Sequence, residues 1–225
     1  NILADIRKKD IVKPRISKHM AKITDLGILK QLINEIYNYN GNHNIKNALK
    51  LVLHIPLRAE NLCNLKWNQI NFEKKILTIP RENMKLSNIN LDDFVMPLTD
   101  EVIKILKEHK DMQLFSIKPK EYVFLGFNNR QAINKESPNR ALFRLGFNDE
   151  KKGTKIRLHG FRGTFRSLID TLDTKNRFPV EVKERALDHH DKNLVARSYN
   201  HKANYHEQMI ELMKFWSKFI CSLKT

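Results

Sequence analysis

The stretch 157–200 constrains this chain more than any other. It reads RLHGFRGTFRSLIDTLDTKNRFPVEVKERALDHHDKNLVARSYN. A helical pattern opens at His159 and runs to about Asp173, which sets Arg162 one turn from His159 on the same face. Pro179 stands at the first turn of a second helix reaching Leu187, where a missing N–H costs nothing. A short third helix from about Lys192 carries Tyr199, ten positions after His189. Arginine offers phosphate a planar fork. Histidine moves protons near neutral pH, and tyrosine becomes a covalent nucleophile once its hydroxyl is activated. These residue types in one stretch suggest covalent chemistry on a phosphodiester.

The charge balance agrees. Lys and Arg number 41 against 25 Asp and Glu, a net charge of +16 over 225 residues. That excess favours an anionic partner, nucleic acid before an acidic membrane. Hydrophobic residues make up 41%, enough for one sizeable core. Cys63 and Cys221 lie far apart without metal-ligand spacing, so a disulfide framework is not expected and a reducing, cytoplasmic compartment is. No apolar run is long enough to span a membrane, and no secretory signal is seen. The chain starts at Asn1 rather than Met, which reads as a piece of something longer. Residues 1–22 are basic, carry a proline and lack a sustained apolar period; they read as a linker from an absent domain or as a solvated tail.

From Thr24-Asp25, cap and first-turn acid, a helix carries Leu26, Leu29, Leu32, Ile33 and Ile36 on one stripe as far as Asn40-Gly41. A second runs over about 44–55 with Ala48, Leu49, Val52 and Leu53 inward. Pro56 breaks it, and Arg58 opens the short helix RAENLCNLKW, where packing on both sides can fix its guanidinium as a phosphate clamp. The period then changes. Residues 69–72, 75–79 and 93–98 read as strands, with a polar loop holding Arg81 and Lys85 between the second and third. A helix capped by Thr99 spans about 100–115, and NRALFRLGF makes another, ended by Gly146. The last helix, 204–223, aligns Tyr205, Met209, Leu212, Trp216, Phe219 and Leu223.

Arg58, a lysine in a strand–loop–strand segment, His159-x-x-Arg162, Leu187-x-His189 and Tyr199 follow one another in the order of the tyrosine recombinase catalytic domain, the domain of phage and mobile-element integrases. The sequence resembles that family over about 23–223. Arg58 with Leu65 and Trp67, LHGFRGTFRSL and ERALDHHDKNLVARSYN carry the likeness, and HKANYHEQMIELMKFW resembles the tail of the prophage and integrative-element branch. The resemblance implies a mainly helical α+β domain with a small three-stranded antiparallel sheet, at 23–225, after a helical core-binding domain that closes a clamp on the duplex. It implies that Tyr199 attacks the scissile phosphate to give a 3′-phosphotyrosine. Arg58 and Arg162 bind the non-bridging oxygens, His159 and His189 assist, and Lys85 protonates the departing 5′-hydroxyl. No metal and no ATP are implied. The partners implied are double-stranded attachment sites in a bacterial cytoplasm or nucleoid, further copies in a tetramer joined through the C-terminal helix, and DNA-bending accessory proteins. Arg81, Lys155, Arg157 and Arg166 are candidate DNA contacts.

Each assignment has a competitor. Tyr205, on the apolar stripe, reads as core rather than nucleophile. His190 is displaced by His189 through the Leu-x-His pattern. Lys74, Lys75 and Arg81 lie near Lys85 and compete for its role. One position departs from the family: Asn61 stands where a glutamate usually follows the first arginine by three residues. The cluster Asp188-His189-His190-Asp191 admits a metal-dependent nuclease, although neighbours on a helix point to different faces. A type IB topoisomerase would use the same chemistry, and a non-catalytic DNA-binding module would need only the charge. The C-terminal stripe fits docking on a neighbouring protomer and packing on its own domain about equally.

Overall fold

The computed structural model describes residues 20–85, 91–113, 120–128, 130–189 and 205–225. Helix α1, Leu26–Tyr37, starts at Asp25, whose Oδ1 accepts from the Ile28 N–H at 2.8 Å. Asp25, rather than Thr24, is therefore the cap. Its apolar stripe of Leu29, Leu32, Ile33 and Ile36 is buried, while Leu26 stays exposed. Helix α2, His43–His54, is capped by the Asn42 side chain. Pro56 ends that run, and α3, Ala59–Cys63, begins with Arg58 at its N-cap. A left-handed Lys75 turns the chain between β1, Ile70–Asn71, and β2, Ile76–Ile79. β3, Phe94–Pro97, completes an antiparallel sheet of order β1-β2-β3, with Ile70 opposite Leu77 and Ile79 opposite Phe94. Alternation buries Leu77 and Ile79 on one face, as period two requires.

Among the described residues five further helices follow: α4 at Asp100–Gln113, α5 at Glu136–Arg144, α6 at Gly160–Leu172, α7 at Val180–Ala186 and α8 at His206–Ser222. The fold is the mainly helical α+β class with a three-stranded sheet. Helix α2 is its hub, packed by α1, α4, α5 and α8. A helix covered on so many sides must bury polar residues as well, and it does so with partners. Asn44 Oδ1 accepts from the Leu125 N–H at 2.9 Å, and Asn47 Nδ2 donates to His109 Nδ1 at 2.9 Å. His54 lies between the Tyr37 hydroxyl, 3.0 Å from Nε2, and Ser217 Oγ, 2.8 Å from Nδ1. No buried side-chain polar atom is unsatisfied among the described residues, as stable interiors demand.

Helix α8 closes the domain over α2, α7 and β3. Met209, Leu212, Met213, Trp216 and Ile220 are buried. Trp216 meets the Phe165 ring edge-on at 5.1 Å and donates Nε1–H to the Leu53 carbonyl at 2.8 Å. Burying side chains of this kind contributes roughly 1.5–3 kcal/mol each. The stripe thus packs on its own domain, and Tyr205 lies with it, partly buried against the core under the Arg185 guanidinium at 4.6 Å. Packing also begins earlier than Thr24. Ile23 is buried, its N–H donates to Thr164 Oγ1 at 3.0 Å, and Lys22 Nζ donates to Ser167 Oγ at 2.6 Å. Gly160 permits this: a Cβ there would lie 2.3 Å from the Ala21 carbonyl oxygen. Among the described residues no helix is long and apolar enough to cross a membrane.

Candidate active site

Two arginines meet at the break between α2 and α3. Arg162, one turn into α6, sends Nη1–H to the Pro56 carbonyl at 2.9 Å and Nη2–H to the Leu187 carbonyl at 2.6 Å. It therefore joins the proline break to the end of α7. Burial, with Arg58 nearby, pushes its guanidinium down to about 10, which leaves it charged at neutral pH. Arg58 reaches toward the same place from the start of α3. Its Nη1–H donates to Asp188 Oδ2 at 2.6 Å and its Nη2–H to the Asp188 carbonyl at 3.0 Å.

His189 follows Asp188. Its Nδ1 lies 2.7 Å from Glu184 Oε2 and its Nε2 lies 3.0 Å from Arg162 Nη2. A carboxylate only accepts and a guanidinium only donates, so the network requires Nδ1–H and a bare Nε2. Burial opposes the charge on Glu184. Hydrogen bonds from Arg166 and His189 outweigh that and hold its carboxyl below the ordinary range. Glu184 thus orients the histidine and is itself oriented by Arg166 Nε at 2.6 Å.

His159, exposed at the start of α6, brings the set together. Its imidazole is held below the ordinary histidine value, first by partial burial and then by the charges of Arg162, Lys85, Arg58 and His189. A neutral imidazole among cations can take a proton from a nucleophile's hydroxyl. Lys85 follows the single turn Arg81–Asn83 and the buried Met84. Asn61 explains part of that placement. Its Nδ2–H donates to the Asn83 carbonyl at 3.0 Å, which ties α3 to the turn before Lys85. A glutamate, having only acceptors, could not make this bond.

Arg58, Lys85, Arg162 and His189 all lie within electrostatic reach of His159. Tyr199 and His190 lie outside the described residues. Arg81, a candidate DNA contact and competitor for the role of Lys85 in the sequence, is buried. Its Nη1–H donates to Asp188 Oδ1 at 2.8 Å and its Nε–H to the Asp92 carbonyl at 2.7 Å. Lys155 pairs with Glu150 at 2.8 Å and Arg157 with Glu136 at 2.6 Å, both at the surface. Arg166 is held by Glu184 and Asp170. The sequence pattern offers Asp188 only as a metal ligand and gives Glu184 no role; the structure pairs the first with Arg58 and Arg81 and the second with Arg166 and His189. Both lie inside the ERALDHHD segment, but nothing in it announces that Asp188 meets Arg58 and Arg81, more than a hundred residues earlier, or that Glu184 joins Arg166 to His189.

Asp188 and His189 also face different partners, so these two neighbours do not converge on one ion. Among the described residues one trio, His54, Glu101 and Cys221, could share a metal. It joins the end of α2, the start of α4 and the end of α8, where the Tyr37 hydroxyl contacts His54 and Glu101 and the Lys224 ammonium reaches Glu101 at 3.3 Å. These groups already satisfy the site as a polar network.

Solved structures share the architecture. XerA recombinase aligns over 96% of this chain and 70% of its own with a TM-score of 0.56 at 16% identity. The Tn1549 transposon integrase, solved with transposon right end DNA, aligns over 92% and 69% with a TM-score of 0.57 at 14% identity. The fold is therefore that of the recombinases and integrases. The Phage integrase family model matches residues 28–206, and the chain belongs to that family. It is 27% identical over 175 residues to the integrase of Shigella phage Sf6, covering 77% of this chain and 41% of that protein. It is 30% identical over 164 residues to the prophage integrase IntA of Escherichia coli (strain K12), covering 72% and 35%. The chain spans less than half the length of these curated relatives.

Proposed function

We propose that this chain is the catalytic domain of a site-specific DNA recombinase that cleaves and rejoins strands through a 3′-phosphotyrosine. One arrangement carries the proposal: Arg162 bonds the Pro56 carbonyl just before Arg58 and lies 3.0 Å from His189 Nε2, with His159 three residues before it and within reach of the Lys85 charge, although these come from widely separated parts of the sequence. Negative charge builds on the phosphate oxygens during transfer, and two guanidinium forks can neutralise it without a metal. The tyrosyl oxygen of Tyr199 attacks phosphorus as His159 accepts its proton. The bond to the 5′-oxygen breaks, and Lys85 protonates the leaving alkoxide. The phosphotyrosine conserves the bond energy, so the reverse attack by a 5′-hydroxyl reseals the strand without ATP.

The substrate in this reading is a duplex attachment site in a bacterial cytoplasm or nucleoid, and the net charge of +16 supports an anionic partner. Lys155 and Arg157, at the surface, and Arg166, half-buried, are the cations proposed to contact its backbone. The proposal extends to four copies on paired sites, joined through the C-terminal helix, and to accessory proteins that bend the DNA. Because the apolar stripe of α8 is seated in its own domain, bridging would use helix exchange or the exposed Glu207, Glu211, Lys214 and Lys218. A trapping assay tests the chemistry. Nicked duplexes randomised around the nick should give an adduct stable to detergent and indifferent to EDTA. An adduct or product that needs divalent metal would favour a metallonuclease instead.

A further inference from the structure

We infer that Asp188 is a positioning residue for Arg58, clamped from behind by Arg81, and that this bridge supplies the carboxylate that position 61 lacks. The inference rests on the proposed function. Asp188 divides its carboxylate between two guanidiniums, Oδ2 to Arg58 Nη1 at 2.6 Å and Oδ1 to Arg81 Nη1 at 2.8 Å. Its backbone carbonyl takes a second proton of Arg58 at 3.0 Å. Arg81 is in turn fixed by the Asp92 carbonyl at 2.7 Å, and its own N–H donates to Asp93 Oδ1 at 2.8 Å.

The order of burial says which side of Arg58 the clamp occupies. The Asp188 side chain is 2% exposed, that of Arg81 is 8% and that of Arg58 is 15%. Asp188 therefore lies behind Arg58 and leaves the outer N–H groups of the fork for a phosphate. A guanidinium carries five N–H donors, so two spent on Asp188 still leave three. The backbone points the same way. Asp188 has φ 50, a left-handed conformation that costs most residues energy and that Asp and Asn tolerate best after Gly. Asn61 cannot substitute for Asp188, since its amide is neutral and its donor is used on the Asn83 carbonyl. Without the Asp188 charge, Arg58 and Arg81 would repel each other, with Arg162 adding to the repulsion.

The test compares initial rates of covalent adduct formation on nicked duplexes randomised around the nick, for wild type, Asp188→Asn, Arg58→Ala and the double variant. Asparagine keeps the shape and tolerates the left-handed backbone. We expect Asp188→Asn to slow adduct formation by about 10- to 100-fold, less than the roughly 100- to 1,000-fold lost when a charge-stabilising donor is removed outright. Affinity for the same DNA should change less than about threefold, well below the tenfold that 1.4 kcal/mol represents. In the Arg58→Ala background the same substitution should slow the reaction no further, because partners in one unit are non-additive. Equal slowing in both backgrounds would assign Asp188 a general structural role and overturn the inference. Should Asp188→Asn fail to fold, Asp188→Asn with Arg81→Gln removes one charge of each sign and keeps the buried balance. That pair should be folded and still slow, and a wild-type rate would overturn the inference. Wild type giving no adduct at all would instead overturn the proposed function beneath it.

Discussion

Arg162 Nη2 lies 3.0 Å from His189 Nε2 while it also donates to the Leu187 carbonyl. One guanidinium thus fixes a histidine, the end of α7 and, through Pro56, the break before Arg58. A lysine carries one point charge and cannot reproduce this fork. Arg162→Lys should lower the adduct-forming rate by about 100-fold or more with duplex binding retained. Rapid-quench kinetics beside a binding isotherm would measure both, and an unchanged rate would remove Arg162 from the clamp.

Glu184 holds His189 through Nδ1 and is held by Arg166. Glu184→Gln keeps the shape and replaces the charge-assisted acceptor by a neutral amide that can turn a donor to the ring. His189 then loses its fixed tautomer. The adduct-forming rate should fall by about tenfold, below the full worth of a positioned proton-transfer group. Imidazole nitrogen shifts read by NMR should show Nδ1–H prevalent in the wild type and a mixture in the variant.

Gly160 accepts the chain at Ala21, where a Cβ would stand 2.3 Å from a backbone oxygen. A backbone atom cannot swing aside as a side chain can. Gly160→Ala should cost about 1–3 kcal/mol, in the range of overpacking, and loosen the bonds from Ile23 to Thr164 and from Lys22 to Ser167. Urea denaturation gives the first quantity, and amide exchange at Ile23 gives the second.

His54 and His109 are buried, and burial pushes both imidazoles down to about 4. An unfolded histidine titrates near ~6.5. Below that pH the unfolded chain binds protons that the native state refuses, so stability is complete above ~6.5 and falls as pH drops toward 4. Each histidine contributes about 3 kcal/mol to this loss. The geometry agrees for His109: Nε2–H donates to the Val123 carbonyl and Nδ1 accepts from Asn47, leaving no place for a second proton. Denaturation at pH 7 and pH 4.5 should show the drop, and His109→Gln should flatten it.

The helices were legible because their apolar periods were long and their stops explicit. Pro56, Pro179 and Gly146 all stand at real boundaries. His159 and Arg162 were legible as a pair because one helical turn joins them, and Arg58 because a proline break isolates it. Arg81 was not, since a polar loop reads as surface, whereas Asp188, 107 residues later, and the Asp92 carbonyl hold it inward. The buried bridge Arg58–Asp188–Arg81 has no local period to betray it. Gly160 and Lys22 were missed for the same reason: the close approach they make is a property of the packed fold. The C-terminal stripe was seen correctly, but a stripe does not name its partner, and the structure supplies α2, α7 and β3 of the same chain.

The central claim is that the assembled cations serve a tyrosine nucleophile. The most direct test traps the adduct on nicked duplex in EDTA, digests it, and locates the phosphodiester-linked residue by mass spectrometry, with Tyr199→Phe in parallel. We expect the DNA on Tyr199, no adduct from Tyr199→Phe, and duplex binding by both proteins. DNA linked to another residue, or an adduct that survives Tyr199→Phe, would contradict it.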